Sequence, residues 1–141
     1  MLRTSFFAAV AATLVLAGGG LAGCASNMSR ADRLALYQAN ASEPLRQITF
    51  FSPTGWEEVD RDHVVVTMRP TEAYLMRLSG PCLDWDQGAA TMFFTTQIGG
   101  WIQPKFDRVA FRGSPISCRI EEIRAINVEG VRAGRAAHDA G

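Results

Sequence analysis

The chain has 141 residues, 48% of them hydrophobic, with 14 basic and 14 acidic side chains, which suits one domain with a modest core. Balanced charge leaves no single-sign field for holding nucleic acid by counterion release, so that class of partner is excluded. In chain order, the first element is an apolar stretch behind a single cation, Arg3. It runs from Phe6 through Leu16, relaxes into Gly18-Gly19-Gly20 and closes on Leu21-Ala22-Gly23-Cys24. A charged n-region, an apolar h-region and a small-residue cleavage site make a secretory signal peptide, residues 1–23. Phe6 to Ala22 is 17 residues, short of the roughly 20 that a retained membrane helix needs.

With cysteine directly after Leu-Ala-Gly, this segment resembles the lipobox of bacterial lipoproteins. The resemblance implies lipid on Cys24, cleavage before it, and a membrane partner reached through the N-terminal lipid anchor. Residues 24–28 are then a lipid-anchored tether, and Ala25-Ser26 in place of Asp resembles lipoproteins sorted to the outer membrane. The expected location is the cell envelope, facing the periplasm. Cleavage leaves 118 residues with 13 basic and 14 acidic side chains, a net charge of −1.

The domain proper is expected over 29–128. Ser29 with Asp32 has the spacing of a helix start, and Arg30 to Ala41 places Leu34, Tyr37 and Ala41 on one face. Pro44 ends that helix. The period then changes to two. Ile48 and Phe50 alternate with Gln47, Thr49 and Phe51, and Ser52-Pro53-Thr54-Gly55 is a turn cluster. Val64, Val66 and Met68 share a strand face, as do Tyr74, Met76 and Leu78. Met92, Phe94, Thr96 and Ile98 form another such set, and Val109 and Phe111 point inward from a short strand. From Cys118 and Ile120 the apolar positions shift phase to Ile123, Ile126 and Val128, which predicts a bulge near Glu121-Glu122 or a bend between two strands. The fold class expected is mainly β, a small antiparallel barrel or sandwich with one N-terminal α-helix. Residues 129–141, rich in Gly, Ala and Arg, read as a flexible, unpacked tail.

Cys82 and Cys118 form an even pair in an oxidising compartment and read as a disulfide, against the alternative of two buried thiols. No Cys/His spacing suits zinc, and no metal or cofactor is expected. His63 beside Asp60 and Asp62 reads as a turn-surface histidine rather than a general base, and His138 sits in the tail. Asp84-Trp85-Asp86 lacks the glycine turn and distal glutamate of a calcium loop. No nucleophile elbow or phosphate-cradling glycine loop occurs, so no catalytic residue is assigned and the chain is read as a non-enzyme. Trp56, Trp85 and Trp101 are the notable aromatics. Trp85, Trp101 and Arg112 make a candidate binding surface.

The landmarks from Arg33-Leu34-Ala35-Leu36-Tyr37 to Asn127 are similar to a family of small proteobacterial lipoproteins known only as a domain of unknown function. Trp56, Val64-Val65-Val66, Glu72-Ala73-Tyr74-Leu75, Gly80-Pro81-Cys82-Leu83, Phe106-Asp107-Arg108-Val109 and Cys118-Arg119-Ile120 carry that resemblance. It implies an envelope lipoprotein with a compact two-cysteine domain and supplies no substrate or cofactor. The functional expectation is a lipid-anchored binding or structural module meeting an envelope protein or a glycan. The alternative is an enzyme or enzyme inhibitor with a shallow, loop-formed site.

Overall fold

The computed structural model describes residues 28–50, 52–80, 82–83 and 91–141. The segment read as a signal peptide, Cys24 and Trp85 lie outside the described residues. Helix α1 spans Arg30–Ala39, and its start is capped as expected: the Asp32 N–H donates to Ser29 Oγ at 3.1 Å. The helix ends two residues before Ala41, where Asn40 leaves helical geometry and Ala41 bridges to Ile126.

Eight strands follow: β1 (Ile48–Thr49), β2 (Gly55–Glu58), β3 (His63–Arg69), β4 (Glu72–Leu78), β5 (Met92–Thr95), β6 (Trp101–Ile102), β7 (Arg108–Phe111) and β8 (Ser117–Ile126). Six of them make one antiparallel sheet in the order β2-β3-β4-β8-β7-β5, and β1 pairs separately with β6. The large sheet is curled into a half-barrel, which lies between the two architectures expected.

Alternation assigns each residue to a face. Val64, Val66 and Met68 of β3, and Met76 and Leu78 of β4, point into the curl with Val109, Phe111, Ile120 and Ile123. Trp56 closes one edge of this core, its ring 4.9 Å from Phe111. The bulge foreseen in β8 is present. Arg77 faces Glu122 while Leu78 faces Ile120, so Glu121 is the extra residue. That one-residue slip lets Cys118, Ile120 and Ile123 share a face despite their broken parity, and sends Ile126 to the other side.

The disulfide joins Cys82 to Cys118 with Cα atoms 5.9 Å apart, inside the range that the bond demands. Both residues are buried in the inner core. Asp107 is fully buried as well. Its carboxylate accepts the N–H groups of Gln97 at 2.7 Å and Gln103 at 2.6 Å, fastening the loop that carries β6.

The outer face is covered differently from what the sequence suggests. Residues 129–141 are not an unpacked tail: Val128–Ala140 form a second helix, α2. Asn127 caps it by accepting the Gly130 N–H at 3.0 Å, and the Asn127 N–H donates to Asn40 O at the end of α1, 2.9 Å away. Tyr37 from α1 and Val131 from α2 are buried with Val65, Ala73, Leu75 and Ile126 of the sheet. The two glycines that made this segment look unstructured sit against α1. A Cβ on Gly130 would collide with the Asn40 side chain, and one on Gly134 with Leu36. Each glycine weakens an isolated helix by about 1 kcal/mol, but here it permits close approach. Packing outweighs propensity.

Among the described residues, no helix is long and apolar enough to cross a membrane.

Candidate functional site

Where α2 lies over the edge of the sheet, the covering is incomplete. A cavity of about 350 Å³ remains between α2 and strands β2 to β4. Val65, Ala73, Ile126, Val128 and Val131 give it apolar walls, and Thr67 and Pro70 also line it. Arg132 of α2 lines it as well, beside a converging trio of Tyr37 of α1, Glu57 of β2 and Arg135 of α2. An apolar pocket with a few convergent polar groups is the usual form of a small-molecule site.

The trio is knitted together. Arg135 donates to Tyr37 Oη at 2.5 Å and to both Glu57 oxygens at 2.8 and 2.9 Å, and the Tyr37 hydroxyl donates to Glu57 at 3.2 Å. The guanidinium also stands 5.6 Å from the Tyr37 ring centroid, within cation–π range. Burial first, and then the Glu57 charge, push the Tyr37 hydroxyl above its ordinary value. Burial works against the Arg135 cation, yet the hydrogen bond to Glu57 and the Tyr37 contact more than offset it, and its pKa rises. Tyr37 therefore stays a neutral hydroxyl between two opposite charges. Its one O–H is given to Glu57, and a lone pair is left to accept from a guest.

Glu57 sits on β2, an edge strand, where a charged side chain also discourages pairing with another chain. Arg33 of α1 reaches the same edge, donating to Glu58 O at 3.0 Å. The site thus takes one residue from each of three elements that are distant in sequence. Its available signals were Asn127 before Glu129 as a helix start and Val128 with Val131 at helical spacing. Gly130 and Gly134 masked them.

Trp101 and Arg112 are both exposed, on β6 and just after β7. Neither lines this cavity. Trp85, the third residue of that candidate surface, is outside the described residues. His63 departs from the expected solvated turn. Its side chain is 16% exposed, and Nδ1 is 2.8 Å from Asp60 Oδ1, which also accepts the N–H groups of Asp62 and His63 at 2.8 Å each. Burial opposes the Asp60 charge, but these bonds outweigh it and hold its carboxyl below the usual range. Among the described residues, no three His, Cys, Asp or Glu side chains gather as a metal site.

Searches among curated proteins and among solved structures each find no match. A family model does match, over residues 3–140, nearly the whole chain and including the N-terminal stretch. By that match the chain belongs to a family of unknown function, DUF6491.

Proposed function

We propose that this protein is a lipid-anchored envelope module that binds a small amphipathic molecule and has no catalysis of its own. The observation that carries the reading is the cavity under α2, apolar on its walls and provided with the Tyr37–Glu57–Arg135 trio. Its volume of about 350 Å³ is at the small end of ligand pockets, so the guest is a short apolar group bearing a hydrogen-bonding head. The lipobox-like Leu21-Ala22-Gly23-Cys24 supports anchorage, and the Cys82–Cys118 disulfide suits an oxidising compartment. The anchor would hold the domain at a membrane surface on the periplasmic side, where amphipathic molecules concentrate.

Two experiments test this. Cys24→Ser should leave an unprocessed precursor and abolish partitioning of the mature form into detergent; a variant still cut after Gly23 and still partitioning sinks the anchor. For the cavity, a photo-crosslinking residue placed at Thr67 in intact cells should acquire a small-molecule adduct visible in the intact mass. The same residue at Thr54, on the exposed turn before β2, should not. Absence of an adduct at Thr67, or equal labelling at both positions, overturns the binding reading.

A further inference from the structure

A second place on the molecule has the makings of a binding site, and it lies away from the cavity under α2. Register places His63, Arg77 and Glu122 side by side across β3, β4 and β8. With Gln38, Leu75 and Arg124 they line a polar cavity of about 230 Å³. Arg77 and Glu122 also form a wall of a neighbouring cavity of about 400 Å³, into which Arg46 and Lys105 face. The two cavities therefore adjoin at Arg77 and Glu122, beside the bulged part of β8.

The charges here are not balanced. Glu122 is taken by Arg124 at 2.5 Å and Glu121 by Arg119 at 2.7 Å. Arg46, Arg77 and Lys105 have no side-chain hydrogen bond or ion pair among the described residues, although Arg77 is near enough to help hold the Glu122 carboxyl low, after Arg124. Three cations with no hydrogen-bonded counterion around a recess favour an anion. Lys105 is, moreover, the single described non-glycine residue with positive φ, at 73°, held there while its N–H donates to Ile120 O at 2.6 Å. A left-handed backbone at a non-glycine residue is a cost that functional sites often retain.

His63 narrows the class of anion. An ionised carboxylate only accepts, so the Asp60 contact puts a proton on Nδ1, and in the neutral ring Nε2 is then an acceptor. Nε2 has no partner among the described residues. A carboxylate has nothing to donate to it. A phosphate group, whose second pKa is about 6, meets Nε2 in either state, donating P–OH to the neutral ring or accepting from the imidazolium, while its remaining oxygens accept from Arg77. We propose that the recess around Arg77 and His63 is a phosphate-binding site, with the rest of the ligand extending toward Arg46 and Lys105.

The test uses full-length protein in detergent, titrated calorimetrically with inorganic phosphate, glycerol 3-phosphate, short-chain phosphatidic acid and, as the carboxylate control, succinate. The phosphates should bind more tightly than succinate. Arg77→Gln should weaken them by about tenfold or more, as expected on losing a charge-assisted hydrogen bond. His63→Phe should remove the preference over succinate, and Arg30→Gln, distant on α1, should change nothing. Equal affinity for glycerol 3-phosphate and phosphatidic acid identifies the phosphate group as what is read; tighter binding of the latter identifies a lipid headgroup. No binding of any phosphate, no effect of Arg77→Gln, or equal binding of succinate overturns the proposal. Thermal unfolding of each variant separates loss of the site from loss of the fold. Because this recess shares no residue with the cavity under α2, either site can fail without the other.

Discussion

The two faces of the central sheet bury their apolar residues by different means. The inner face is filled mainly by strands, through strict alternation in β3 and β4 and one compensating bulge in β8, with Cys82 and Leu83 added from the turn after β4. The outer face depends on two helices from opposite ends of the described chain, which meet through Asn40 and Asn127 and through glycines pressed against α1. The inner face is larger, includes the disulfide and holds most of the fully buried side chains. The outer face is thinner and encloses the cavity. Stability is thus concentrated on one side of the sheet, and adaptable, ligand-sized space on the other.

The sharpest break of this comparison comes from the inner face. Ile120 is fully buried there, so Ile120→Ala should cost about 2–5 kcal/mol in urea unfolding. A loss under about 1 kcal/mol would mean that the core is not where the stability resides. Next comes the crosslink. Replacing Cys82 and Cys118 together by Ser should lower stability by about 3.8 kcal/mol or less, the chain-entropy value for residues 36 apart. Free-thiol labelling of the unreduced, denatured wild type should find neither sulfur.

A stop after Asn127 tests the outer face directly. An unpacked tail could be removed silently, whereas loss of α2 exposes Ile126 and Tyr37 and forfeits Val131, whose burial alone is worth roughly 1.5–3 kcal/mol. A truncated protein with unchanged midpoint would return residues 129–141 to the status of a tail. Within the trio, Tyr37→Phe keeps the ring and the Arg135–Glu57 pair while deleting the hydroxyl. It should cost about 0.5–1.5 kcal/mol and reduce labelling from the Thr67 crosslinker.

The smallest effect is a pH slope. Asp60 and Glu122 both have folded pKa values below their ordinary ones, Asp60 through hydrogen bonds that outweigh burial and Glu122 chiefly through Arg124. Groups lowered on folding contribute stability above their unfolded pKa and lose it as pH falls through the folded value. The unfolding midpoint should therefore decline as the solution is acidified below about pH 4. Asp60→Asn keeps an acceptor for the turn N–H groups and should flatten that slope. An unchanged slope would place the acid sensitivity elsewhere.

Much of this architecture was readable along the chain. The faces of β3 and β4, the cap at Ser29, the bulge beside Glu122 and the pairing of Cys82 with Cys118 all follow from local rules: alternation at period two, a short acceptor before a helix, a phase shift, and the pair of cysteines left once Cys24 is set aside. Each concerns residues whose roles are set by near neighbours or by composition. The segment 129–141 was not readable, because its glycines lower helix propensity and the compensating contacts with Leu36 and Asn40 come from the far end of the domain. Glu57, taken along the chain, is one of several carboxylates near a charged hairpin. It becomes part of a site when Tyr37 and Arg135 arrive from two helices.

The sequence by itself therefore determined the mainly β class, the strand faces, the first helix and the cysteine staple, because these are written in short-range periodicity and covalent chemistry. Tertiary structure alone decided that α2 exists, that a cavity lies beneath it, and that His63 is oriented by Asp60 beside Arg77. Those features arise where side chains distant in sequence share one small volume, and no local pattern encodes such a meeting.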